Sequence, residues 1–155
     1  IWPSLPKPGR GSSLLLEFGK TARTSKKPPV SIPAMVKYLA DTNVLIDHLR
    51  GDDEATRFLL DHSPAISAVS VAELIQGCRT PRQLSEVITL ISDLNVLDID
   101  TEISTRSTNL VRDNYLSHGL KFLDALIAAT AMKHKLTLKT QDSKHFKIIK
   151  GLLLY

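Results

Sequence analysis

An α/β fold with a mainly parallel central sheet is predicted by three observations. Short apolar runs of strand character alternate with longer segments of helical period from residue 36 onward. Capping residues stand at most of the junctions where a strand run gives way to a helical one. The length, 155 residues, is that of one domain with enough apolar content for a core.

The elements follow in order. Val36–Ala40 reads as a buried strand, and Asp41-Thr42-Asn43 supplies N-cap residues for a helix. That helix carries Val44, Leu45, Ile46 and Leu49 on its apolar face and ends at Gly51. Asp52, Asp53 and Glu54 place acids at the start of a second helix through Leu60, where the helix dipole favours them. Ala65–Val69 is a second strand. Ser70 and Glu73 have capping-box spacing for a helix running to Gly77. Pro81 suits the first turn of a helix with Leu84, Val87, Ile88 and Ile91 on one side. Val96–Ile99 is a third strand. Residues 101–117 form a helix with Ile103, Leu110 and Val111 inward, closed by His118 and Gly119. An apolar helix over 123–134 leads to a fourth strand at Leu136–Lys139, and Phe146–Ile149 reads as a fifth.

Charge is unevenly placed. The whole chain is formally +4, but residues 1–34 hold six basic residues against one acid, Glu17. Residues 35–155 hold 14 basic residues against 15 acids, a balance of −1. The basic character therefore belongs to the leading segment and is poor evidence that the folded part binds nucleic acid. Residues 1–34 carry six prolines and three glycines, a density that blocks regular structure. We expect 1–34 to be a disordered leader, foreign to the fold through expression or an upstream start, and 35–155 to be the domain, opening at Met35. The single cysteine, Cys78, excludes an intrachain disulfide framework and suits a reducing cytoplasm. No apolar run approaches the ~18 residues of a membrane span. The glycines after residue 35 are too dispersed for a phosphate-binding loop, and the five histidines form no ligand cluster.

Four acids fall at the ends or beginnings of these elements. Asp41 follows the first strand, Glu73 lies one turn into the helix after the second, Asp124 heads the apolar helix, and Asp142 follows the fourth strand. Taken singly, each has a structural explanation as a cap, a dipole-stabilised acid or a turn residue. In parallel sheets, however, ligands bind beyond the carboxyl ends of strands, where Asp41 and Asp142 stand. Four carboxylates meeting there would bind a hard divalent cation or titrate abnormally.

The order of motifs resembles that of PIN-domain proteins, especially the VapC toxins of type II toxin–antitoxin systems. Tyr38-Leu39-Ala40-Asp41-Thr42-Asn43-Val44-Leu45-Ile46 is similar to the family's opening motif. Ser67 to Leu74, with Gly77, resembles the second motif, Phe122 to Ala131 the third, and Leu138 to Phe146 the fourth. The resemblance covers 35–155 and implies a three-layer PIN-like α/β/α fold. It implies a Mg²⁺- or Mn²⁺-dependent endoribonuclease toxin, neutralised by a VapB-type antitoxin and assembled as a homodimer or a toxin–antitoxin hetero-oligomer. Asp41, Glu73, Asp124 and Asp142 map onto the family's acidic positions. In that picture Asp41 and Asp124 ligate the metal directly, while Glu73 and Asp142 act through water or hold a second ion. The fourth motif more often carries Asn where this chain has Asp142. Thr42, Asn43 and Thr140 would orient the acids from behind. Arg79, Arg82, Lys121, Lys139 and Lys144 flank the motifs and are candidate contacts to RNA phosphates. Single-stranded or looped RNA suits a recessed pocket. The alternatives are a catalytically idle PIN-like module binding RNA or protein, and a nuclease acting on DNA.

Overall fold

The strands are three residues each, so they are positioned by their flanking caps and by the helices laid over them. The computed structural model describes residues 36–155; the expected leader at 1–34 and the start at Met35 lie outside the described residues. In chain order the elements are β1 (Tyr38–Ala40), α1 (Thr42–Leu49), α2 (Asp53–His62), β2 (Ala65–Ser67), α3 (Ala68–Gly77) and α4 (Pro81–Ser92). There follow β3 (Asn95–Leu97), α5 (Thr101–His118), α6 (Phe122–His134), β4 (Thr137–Lys139) and α7 (Ser143–Phe146).

The sheet has the order β3-β2-β1-β4, and every pairing is parallel. The chain steps outward from β1 to β2 to β3, then returns to set β4 on the other side of β1. Successive side chains of a strand face opposite sides of the sheet. Leu39, Ala65, Leu97 and Leu138 accordingly join one apolar cluster with α5 and α6. Ala40 and Ile66 join the other, with residues of α1 to α4. The result is the expected three-layer α/β/α sandwich. Ala125 to Ala131 are buried without interruption, which makes α6 a helix apolar all round and enclosed by its neighbours.

Side-chain caps set the helix starts. Asp41 accepts from the Thr42 N–H, Asp52 from Ala55, Thr80 from Gln83 and Asp100 from Ile103. Each such cap contributes about 0.5–2 kcal/mol relative to alanine. Gly119 ends α5 in the left-handed region at φ 71°, a conformation that favours glycine.

Three sequence expectations are corrected. The α3 cap is Ser67, three residues before Ser70; it accepts from the Val69 N–H, and the helix starts at Ala68. Ser70 is inside the helix, its hydroxyl buried without a partner among the described residues, and the capping box with Glu73 does not form. The fifth strand at 146–149 is replaced by α7 and the turns after it. Phe146 and Ile149 are both buried, a three-residue spacing that a strand would send to opposite faces. Within the described residues after α7, Leu154 alone pairs with β4, through a parallel bridge to Leu138. On α4, Val87 is buried, while Leu84 and Ile88 are 40% and 44% exposed. That helix packs on α3 and β3 at one end of the sheet, so its apolar face is only partly covered.

Candidate metal-binding active site

The direction of the chain reverses between β1 and β4, and the carboxyl ends of those two strands form the crevice where parallel sheets bind ligands. The Asp41 N–H donates to the Lys139 carbonyl at 2.9 Å, extending the ladder one residue past the strands. Asp41 and Thr140 thus leave neighbouring strands side by side.

Asp41 is 6% exposed, and both of its carboxylate oxygens are engaged. Oδ1 accepts from the Thr42 N–H at 2.7 Å, and Oδ2 accepts from the Thr140 hydroxyl at 2.7 Å. The Thr140 oxygen accepts from the Asn43 side-chain amide at 3.3 Å and from the Asp142 N–H at 3.0 Å. With both lone pairs used, its one proton is directed at Asp41. Asn43 is itself oriented, because its Oδ1 accepts from the Gln141 N–H at 3.1 Å. On the other side, the Thr42 hydroxyl donates to Glu73 Oε2 at 2.5 Å, tying α3 to the start of α1. His145 lies 2.7 Å from Asp142 through Nδ1 and Oδ2.

The charges of the four acids are linked in pairs: Asp41 with Asp124 and Glu73, and Asp124 with Glu73 and Asp142. Burial raises the Asp41 pKa; the Thr140 and Thr42 hydrogen bonds oppose this, and the nearby charges of Asp124 and Glu73 add to it. Burial also raises Asp124, against the charges of His145 and Lys121 and with those of Glu73 and Asp142. Among the described residues no three carboxylate, imidazole or thiol side chains converge as a preformed ligand cage. The acids share the pocket at Coulombic range rather than at ligating distance. This spread oxygen-only set fits a small hard cation that keeps part of its water and takes one or two carboxylates, and it does not fit a soft metal.

The remaining sequence candidates separate. Lys121, at the cap of α6, acts on Asp124, and Lys144 lies in α7 beside Asp142. Lys139 is turned away from the pocket. Its side chain is 14% exposed, pairs with Glu54 at 3.2 Å, and sits 4.3 Å from the centre of the Tyr155 ring and 5.6 Å from that of Phe58. Strand alternation sends it to the α2 side, opposite Leu138, where Tyr38 and His62 complete a ring cluster. The structure therefore withdraws Lys139 from the candidate RNA contacts. Arg79 and Arg82 follow the end of α3 remote from β2, and Arg82 pairs with Glu86 at 2.9 Å. The sequence gives His145 no role beyond its place in the fourth motif; its three-residue spacing from Asp142 is the available signal.

The fold and its acids define a protein of the α/β class with carboxylates at the switch point of a parallel sheet. The family model of the PIN domain matches residues 38–152, and the chain belongs to that family. It is 40% identical over 119 residues to Ribonuclease VapC10 of Mycobacterium tuberculosis, a match covering 74% of this chain and 89% of that one. Among solved structures, it resembles a toxin–antitoxin complex from Klebsiella pneumoniae, with 34% identity and a TM-score of 0.65 over 76% of this chain and 96% of that one. It also resembles a DNA-bound VapBC from Salmonella typhimurium, with 29% identity and a TM-score of 0.69 over 78% and 98%. Among the described residues no helix is long and apolar enough to cross a membrane.

Proposed function

We propose that this chain is an endoribonuclease toxin that hydrolyses RNA phosphodiesters with Mg²⁺ or Mn²⁺ and is held in check by a VapB-type antitoxin. The observation that carries the reading is the junction at the switch point. There Asp41 is fixed by Thr140 and Thr42, with Glu73 and Asp124 close enough to oppose its ionisation. Kinship to a ribonuclease and to toxin–antitoxin complexes supports the activity and the partner. Assembly as a homodimer or with the antitoxin, and action in the cytoplasm, belong to the same reading.

Asp41 and Asp124 would hold the cation directly, with Glu73 and Asp142 acting through water or at a second ion. When bound, such a cation lowers the pKa of water and steadies the charge of the scissile phosphate. The chain's own residues do the positioning. Thr140 holds the Asp41 carboxylate in one orientation, Thr42 holds Glu73, and His145 holds Asp142. A carboxylate left free of the metal can take the proton of the attacking water. Residues whose orientation is fixed in advance need no reorganisation when the phosphate arrives.

The test uses purified protein with labelled RNA or DNA, in Mg²⁺, Mn²⁺ or EDTA. RNA is cut only with metal present, DNA is spared, and Asp124→Asn lowers the rate by about 10²-fold or more. Intact RNA in the presence of metal, or an Asp124→Asn protein as fast as wild type, ends this reading. Co-expression with the antitoxin from the neighbouring reading frame gives a complex without activity.

A further inference from the structure

An acidic pocket repels the polyanion it is proposed to cut, so nearby cations must supply the attraction. Residues 35–155 have a balance of −1 and offer no general positive field. Six of their cations are committed to carboxylates: Arg50, Arg82, Arg106, Arg112, Lys133 and Lys139. Among the described residues, Lys121, Lys144, Lys147 and Lys150 have no such partner, and all four are exposed. They lie in the two segments that carry Asp124 and Asp142. Lys37, Arg57 and Lys135 are also without carboxylate partners among the described residues; Lys37 and Lys135 precede β1 and β4 and so stand at the opposite end of the sheet, and Arg57 lies in α2.

The register of α7 and its continuation aligns three of these lysines. The Lys147 N–H closes α7 on the Ser143 carbonyl, four residues back, and the chain goes on in two three-residue turns, with Ile149 N–H donating to the Phe146 carbonyl and Leu152 N–H to the Ile149 carbonyl. Across this segment burial repeats every three residues and sorts the side chains into rows. Phe146 and Ile149 form the buried row. Asp142 and His145, in contact, begin the row at the pocket. Lys144, Lys147 and Lys150 form the third, which faces solvent. At a rise of 1.5–2.0 Å per residue the lysine row spans about 9–12 Å.

We infer that the row Lys144, Lys147 and Lys150, joined by Lys121 beside Asp124, is a phosphate track that carries single-stranded RNA away from the carboxylate pocket. The inference rests on the ribonuclease reading and adds the path of the substrate. Lysine contacts to phosphate fix the register of the strand without reading its bases. The track therefore sets affinity and salt dependence, while the carboxylates set the chemical step.

The test is the triple variant Lys144→Gln/Lys147→Gln/Lys150→Gln in the full chain, with Lys37→Gln/Lys135→Gln as the control. Binding of a fluorescent oligouridylate of about a dozen nucleotides is followed by anisotropy in EDTA as salt is raised. The triple variant should bind about tenfold or more weakly at low salt, with its log–log salt slope shallower by about 2. Its KM with metal should rise while kcat changes less than about twofold. The control should match wild type. A triple variant with the wild-type slope and KM overturns the track and leaves the ribonuclease reading standing. The track is equally overturned if that variant keeps its RNA affinity and instead loses the antitoxin on co-purification. A wild type that binds RNA through the lysine row without cutting it keeps the track and ends the ribonuclease reading.

Discussion

The Thr140 hydroxyl donates its only proton to the Asp41 carboxylate at 2.7 Å, across 99 residues of sequence. The two residues extend neighbouring strands, so the contact exists only where β1 and β4 are in register.

Thr140 should therefore tolerate loss of its methyl group and not of its oxygen. Thr140→Ser keeps the donor and should retain activity within a few-fold. Thr140→Val leaves Asp41 unheld and the Asn43 and Asp142 donors without their acceptor, and should lower activity or metal affinity about 10–100-fold. Steady-state cleavage and metal titration of both variants decide this.

The raised pKa of Asp124 has a definite sign. A carboxyl group whose folded pKa lies above its unfolded value near 3.8 favours the folded state below that value. That contribution is lost as pH rises through the folded pKa, so at neutral pH the ionised pocket weighs against the metal-free fold. Asp124→Asn should then melt higher than wild type in EDTA at neutral pH, with the difference vanishing in acid. Differential scanning calorimetry at several pH values measures it, and a variant that melts lower in EDTA contradicts the account.

Divalent metal should stabilise the wild type, because it binds the native pocket and not the unfolded chain. At a free concentration 100 times Kd the gain is about 2.7 kcal/mol. It should fall away as acid protonates Asp41 and Asp124, which begins at higher pH than for ordinary carboxylates because burial raises both. The same titration on Asp124→Asn should show little shift in melting temperature.

Tyr155 should matter through its ring. Its contact with the Lys139 ammonium holds the residue whose carbonyl receives the Asp41 N–H. Tyr155→Phe should be silent, while Tyr155→Leu should cost about 0.5–2 kcal/mol of stability. Faster hydrogen exchange at the Asp41 amide would report the loosened end of β4.

Much of this architecture was legible in the sequence, since alternating strand and helix signals define the layers and strand ends mark the crevice. Asp41, Asp124 and Asp142 stand out there because each lies at or near a junction, and Glu73, in mid-helix, stands out only through its motif. The saturation of Thr140 was not, because it needs Asn43 and Asp142, from segments after different strands, to meet on one hydroxyl. Lys139 was misplaced for a related reason: its flanking position in the motif said nothing of the α2 rings that receive it. Ser67 and Ser70 are both capping types three residues apart, and only the end of β2 decides between them. Phe146 and Ile149 read as a strand because the apolar run is short and both periods fit it.

The position of β1 in the sheet also has a consequence in time. Its neighbour β4 is made last among the strands, and at about 5–20 residues per second the 99 residues from Asp41 to Thr140 take roughly 5–20 s to synthesise. Through that interval Asp41 lacks the Thr140 hydroxyl that holds it. A growing chain thus cannot fix the Asp41 carboxylate until β4 and Thr140 have been made, so the site is completed late relative to the strand that carries its first acid.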